Sequence, residues 1–296
     1  MQASSVSGAL SGVVVAAVCA GTLVAQQPVS IQFGPRVGSA VRTITSSRGT
    51  MVFHEINEAA QRIGDSVMGE MTSQAGITHR VLEAQPGGYV LEVRYDSLKT
   101  RARLLGQPAW KEDVLLGTGE DAVRVPVDVR LRPAEGTGGG LPADPVANGG
   151  IASWRGVELP DRPVSPGDTW TVTTVYRLPA QLGQLLDIVI RDSLIAAATV
   201  RLDSVTVRPA DSLMYLTVQQ TLPAVTLPAV DAGDSATVEL VGSQAASLVW
   251  STGWHAYVSG ASQARLVGRL QSRNAAGTPR LAEIHWTLAT RLQVRL

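Results

Sequence analysis

Four histidines, two Gly-Asp-Ser triplets and a pair of tryptophans are the residues of this chain whose types and spacing could do chemistry. His54-Glu55-Ile56-Asn57-Glu58 begins like the helix of a zinc hydrolase, in which two imidazoles one helical turn apart share a metal ion. Glu58 stands where that motif needs its second His, and one imidazole among carboxylates is a poor zinc site, so no metal is expected. His54, His79, His255 and His285 have no ligand-like spacing either. Only a fold that gathers them into one cleft would turn them into an active site.

Gly64-Asp65-Ser66 and Gly233-Asp234-Ser235 have the form of an esterase nucleophile block, whose Ser stands at a strand end of an α/β sheet and depends on an Asp shortly before a late His. The late His here is His285, with Ala282 three residues before it and alternating sequence on both sides. Both triplets therefore read as turns. Gly136-Thr137-Gly138-Gly139-Gly140 lacks the Lys of a phosphate-binding loop. Asp203 with Asp211, or Asp231 with Asp234, would make an acid and base only if the fold joined them; each sits in turn-rich sequence, where Asp bonds its own backbone. No catalytic residue is assigned, and no cofactor is expected. Trp250 and Trp254 fall on one face if 247–257 is a strand, which makes them candidates for an apolar ligand-binding wall, with core packing as the competing role.

The elements that must position these residues are strands. The 296 residues are 45% hydrophobic and carry 25 basic against 25 acidic groups. That balance supports a real core and argues against nucleic acid, which attracts a net basic face. From 122 to 132, Val123, Val125, Val127, Val129 and Leu131 alternate with charged residues, and 89–97, 197–208, 213–221, 235–241 and 262–272 repeat the period of two. The longest run, 284–296, puts Ile284, Trp286, Leu288, Leu292 and Val294 on one face. Helix is predicted only over 55–63, from the spacing of Ile56, Ala59, Ala60 and Ile63, and over 180–186.

Residues 1–25 read as a signal peptide: no charge precedes Arg36, and a small apolar run ends at Ala25. With Cys19 the single cysteine, a mature chain beginning after Ala25 has no disulfide and no thiolate. Two β-rich lobes follow, over 26–135 and 154–296, joined by the Gly- and Pro-rich loop 136–153. Pro163-Val164-Ser165-Pro166-Gly167-Asp168-Thr169-Trp170 opens the second lobe as a turn that launches a strand, with Trp170 expected in the core.

That block, with Tyr95-Asp96-Ser97-Leu98 and the aromatic stretch before Gly260, resembles an uncharacterised family of exported, β-rich bacterial proteins. The resemblance spans most of the mature chain and implies export and a β fold, but no activity and no binding residue. The fold expected is therefore mainly β: an antiparallel, curved, half-barrel-like sheet in two related lobes, with one or two short helices against it. The function expected is that of a non-enzymatic periplasmic or outer-membrane-associated protein, whose concave sheet binds an apolar small molecule or an envelope protein partner. The alternative is an integral outer-membrane β-barrel, and the third reading is a hydrolase without a recognisable motif.

Overall fold

The computed structural model describes residues 28–106, 109, 111–116, 122–133, 155–176, 188–190, 194–231, 234–273 and 279–295. They form twelve strands: β1 (Ala40–Ile56), β2 (Arg62–Gln85), β3 (Gly88–Leu104), β4 (Lys111–Leu116), β5 (Val123–Asp128), β6 (Thr169–Tyr176), β7 (Ile188–Ile190), β8 (Leu194–Arg208), β9 (Asp211–Asp231), β10 (Asp234–Ser251), β11 (Ala256–Arg273) and β12 (Pro279–Arg295). All belong to one antiparallel sheet in the order β4-β3-β2-β1-β12-β11-β10-β9-β8-β6, with β5 also on β3 and β7 also on β9. The first and last long strands lie side by side, from Arg42 opposite Arg295 to Ile56 opposite Leu281, and so join the two halves of the chain. Among the described residues no ladder joins β4 or β5 to β6 or β7, so the sheet is not closed by strand pairing.

Period-two alternation sets which face is which. On β11, Ser262, Ala264, Leu266, Gly268, Leu270 and Ser272 are buried, while Gln263, Arg265, Val267, Arg269 and Gln271 between them are exposed. The same phase holds on β12, β10 and β1, so one face is mainly apolar and buried and the other meets water. A long sheet with one apolar face must cover it, and twist lets this one curl over itself.

One end is finished by two covering segments. Val29 and Val164 exchange backbone hydrogen bonds at 2.8 and 2.9 Å, the Phe33 N–H donates to the Val129 carbonyl, and the Leu159 N–H to the Arg130 carbonyl just beyond β5. Nine residues later, Gly167 and Asp168 exchange hydrogen bonds with Leu202 of β8. That length of chain reaches at most about 30 Å, which bounds the gap between the two sheet edges at this end. Ile31, Phe33, Val157, Leu159 and Val164 lie in one apolar cluster with residues of both edges.

Several expectations need correction. The segment 55–63 is not a helix. It closes the β1–β2 hairpin, where Asn57 Oδ1 accepts the Gln61 N–H at 2.8 Å and Ala60 takes a φ of 57°. Its apolar spacing is that of two strand ends around a turn, and no described residue is helical. The strand predicted to 132 stops at Asp128, whose carboxylate accepts the N–H groups of Arg130 and Arg132 and turns the chain through Leu131 at a φ of 64°. Trp170 is half-buried rather than fully buried: it packs against the core cluster, and its indole N–H donates to the Glu158 carbonyl at 3.0 Å. The strands are also longer than their alternating stretches suggested, up to 24 residues in β2. The signal peptide at 1–25, the loop 136–153 and the helix at 180–186 lie outside the described residues.

Candidate functional site

A row of polar side chains crosses the apolar inner face at mid-height. Thr100 of β3 pairs in register with Ser73 of β2, Ser73 with Ser47 of β1, Ser47 with Thr290 of β12, and Thr290 with Ser262 of β11. After a step of two residues, from Ser262 to Ala264, the row continues through Gln244 of β10 to Gln220 of β9. All of these side chains, and Thr45 beside Ser47, are at most 5% exposed.

The belt divides the interior. On β2 it separates Met71 from Ala75, on β12 Leu288 from Leu292, and on β9 Leu222 from Val218; the first of each pair lies in one apolar cluster and the second in the other. The belt is partly satisfied. Ser47 Oγ and Thr290 Oγ1 lie 2.9 Å apart, and the Gln220 amide donates to Thr174 Oγ1 and to the Ala196 carbonyl. Thr45 Oγ1, Ser73 Oγ and Gln220 Oε1 are buried without a hydrogen-bond partner among the described residues. Each such atom costs free energy, of order 1–3 kcal/mol.

The two compartments differ. The capped one holds Trp250 and Tyr257, both fully buried and in edge-to-face contact at 5.0 Å, with the Tyr257 hydroxyl donating to the Val157 carbonyl at 2.8 Å. The other is built from small residues: Ala102, Ala196, Ala229, Ala236, Ala264 and Ala282 are six of its eighteen buried members, against Ala75, Ala198 and Ala246 among twenty-five in the capped one. Trp286 lies in the alanine-rich compartment, and its indole nitrogen has no partner among the described residues.

A second arrangement lies on the β1–β12 ladder. His54 faces Glu283 directly in register, and His285 is two residues along β12 from Glu283. His54 Nε2 is 3.9 Å from Glu283 Oε2, His285 Nε2 contacts Glu283 Oε1, and the two imidazoles stack at 5.5 Å with planes 21° apart. One ligand atom from each of the three residues lies within 4.8 Å of the others. Burial, aided by the positive charge of Arg62, lowers the pKa of His54, against the opposing pull of Glu283.

The other sequence candidates are apart. His79 is inside the capped half, where burial lowers its pKa to about 4, and His255 Nδ1 accepts the Gly34 N–H at 3.2 Å. Two of the four histidines therefore meet, and not in a cleft shared by all. Asp203 accepts from Arg201 and Thr217 on the outer face. Asp211 instead holds the β10–β11 turn: burial raises its pKa, but the Gly253 N–H and the Ser251 and Thr252 hydroxyls outweigh that and leave it lowered. Asp231 and Asp234 pair across the β9–β10 turn, whose Gly233 lies outside the described residues, as does Gly136 to Gly140. Asp65 and Ser66 are exposed near the edge of the β1–β2 hairpin. Trp250 and Trp254 do not form one wall: Trp250 is buried, whereas Trp254 lies in the β10–β11 turn and is 45% exposed.

The belt went unpredicted because each strand contributes one or two polar residues to it. Its sequence signal is a single interruption in an apolar phase, such as Thr290 between Leu288 and Leu292. Glu283 and His285 share a strand face by their spacing, but nothing in the sequence couples them to His54.

No protein-family model matches the chain, and no characterised protein matches its sequence. Among solved structures, an outer membrane channel from Pseudomonas putida F1 is 9% identical, with 90% of this chain and 99% of that one covered and a TM-score of 0.22. Pseudomonas aeruginosa OpdQ is 6% identical, with 88% and 100% covered and a TM-score of 0.19. Likeness this distant carries no argument about fold or function.

Proposed function

We propose that the protein is a non-enzymatic, exported binding protein that holds an elongated ligand inside the curled sheet, with its apolar part in the alanine-rich compartment and a polar group against the belt. The observation that carries this reading is the coincidence of two features. Alanines project little from the inner face over half of the molecule, and the belt beside them offers hydroxyl and amide oxygens that the protein leaves unpaired. Binding pockets commonly combine an apolar lining with a few convergent polar groups. The capped half is filled instead by Trp250, Tyr257, Met214 and Leu159.

The outer face separates this reading from an integral membrane barrel. A lipid-facing sheet carries its apolar residues outward, whereas Arg42, Arg48, Arg265, Arg269, Arg291 and Arg295 of β1, β11 and β12 are exposed on the outer face here. Release of the exported protein in soluble form without detergent is expected; retention in a detergent-requiring membrane fraction would reverse the preference. The binding claim is tested by native mass spectrometry and solvent extraction of the exported protein, with displacement of an apolar fluorescent probe as a second readout. Wild type should carry or take up an apolar molecule, Ala236→Phe should exclude it, and Ser73→Val should weaken it while leaving the fold intact. Failure of wild type to carry any ligand or bind the probe sinks the proposal.

A further inference from the structure

We infer that His54, Glu283 and His285 form a binding site for a zinc-like divalent cation, independent of the interior ligand. Three protein donors, two imidazole nitrogens and one carboxylate, come from two hydrogen-bonded strands, so the backbone of the β1–β12 ladder fixes their spacing before any metal arrives. The ligand atoms lie within 4.8 Å of one another. Bonds of about 2.0–2.2 Å to one ion require the wider pairs to close by roughly an ångström and the contacting His285 and Glu283 atoms to part, which side-chain rotation supplies.

His54 makes the case stronger than a surface cluster would. Its side chain is 1% exposed, its Nδ1 has no hydrogen-bond partner among the described residues, and its Nε2 is turned toward Glu283 at 3.9 Å, too far for a hydrogen bond. A buried imidazole with its Nε2 toward a carboxylate and its ring stacked on a second imidazole, yet hydrogen-bonded to neither, is arranged as a ligand and not as a core residue. The ladder on its β2 side is broken as well: Phe53 pairs with Val67 and Glu55 with Ile63, so Gly64-Asp65-Ser66 bulge away and His54 has no β2 partner.

The donor types choose the ion. Imidazole with one carboxylate suits Zn²⁺, Ni²⁺ or Cu²⁺, and not Ca²⁺ or Mg²⁺, which prefer an all-oxygen shell. Three protein ligands leave at least one coordination position, and the 42% exposure of the His285 side chain turns that position toward solvent. Because nothing among the described residues accepts from His54 Nδ1, the site lacks an outer partner that is worth about 10–100-fold in affinity. It should bind more weakly than a closed structural zinc site.

Untagged protein, stripped with a chelator and passed into metal-free buffer, is titrated with Zn²⁺ by calorimetry, with Co²⁺ absorption as a second readout. One ion per chain is expected, with Co²⁺ bands of a four-coordinate nitrogen and oxygen shell and a raised melting temperature. His285→Ala and Glu283→Gln, both on the solvent-facing side of β12, should each lower the affinity at least tenfold while the metal-free melting temperature stays near wild type. His255→Ala, at the capped end, should bind as wild type does. Absence of Zn²⁺ binding by wild type, or retention of wild-type affinity in both β12 variants, would overturn the inference.

Discussion

The two halves of the interior are made from the same strands and the same alternation, yet they are finished differently. Above the belt, Val29 to Phe33 and Val157 to Val164 close the end of the sheet, and large aromatic and aliphatic side chains fill it to near-zero exposure. Below the belt, Ala236, Ala196 and Leu227 keep 6–8% exposure and alanine makes up a third of the buried set, while an indole nitrogen without a partner among the described residues occurs in each half, on Trp250 above and Trp286 below. Close packing of large side chains marks a region that holds a fold together; a lining of small residues is what the proposed ligand compartment requires.

The largest effect that would test this contrast comes from the capped half. Trp250→Ala should destabilise the protein by about 3–5 kcal/mol, because the truncation leaves a cavity against Tyr257 that the capped end cannot collapse. Chemical denaturation reads it, and a loss below that of an average surface substitution would mean that this half is not the rigid one.

Acid should attack the same half. Burial holds His79 neutral down to about pH 4, whereas the unfolded chain takes up that proton near pH 6.5. The unfolded state therefore gains protons first, so stability is full above about pH 6.5 and falls as the pH drops toward 4, by up to about 3 kcal/mol. Melting temperatures across that range should fall in wild type and fall less in His79→Gln. Parallel curves would exclude His79 as the cause.

Gly156→Ala should cost about 1–3 kcal/mol. A Cβ there would lie 2.3 Å from the Tyr257 ring, on a residue with a φ of 58°, so the covering segment has to lift. Faster proteolysis at the capped end should accompany the loss, and a variant as resistant as wild type would count against the cap.

The contrast itself is sharpened on one strand. Ala246→Leu of β10, in the capped half, should cost about 1–3 kcal/mol by overpacking, whereas Ala236→Leu, below the belt, should cost less than about 1. Equal losses would remove the distinction between the halves.

The smallest expected change lies in the belt. Thr45→Val removes an unpartnered buried hydroxyl at constant shape and should stabilise the ligand-free protein by up to about 1 kcal/mol. A destabilisation would show that Thr45 has a partner in solution.

Much of the fold was legible in local pattern. Alternation in 262–272 and 284–296 predicted antiparallel strands with one apolar face, and Pro166-Gly167-Asp168 predicted the turn that the structure shows, with Asp168 Oδ2 accepting the Ser165 N–H at 2.9 Å and Gly167 at a φ of 96°. Local pattern failed at 55–63, because Ile56, Ala59, Ala60 and Ile63 fit a helical face as well as they fit two strand ends around a turn. It also failed for Trp250 and Trp254, since the β10–β11 turn falls between them and sends one inward and the other out.

What the amino-acid sequence determined by itself is the two-residue period, the turn chemistry and a balanced charge: a β protein with a polar outside and an apolar inside. What the tertiary structure alone decided is which residues stand side by side across strands. Strand pairing couples positions that can be hundreds of residues apart, such as Ser47 with Thr290 and His54 with Glu283, and a slip of one residue would turn each side chain to the other face. The belt and the His-Glu-His cluster are both products of that register.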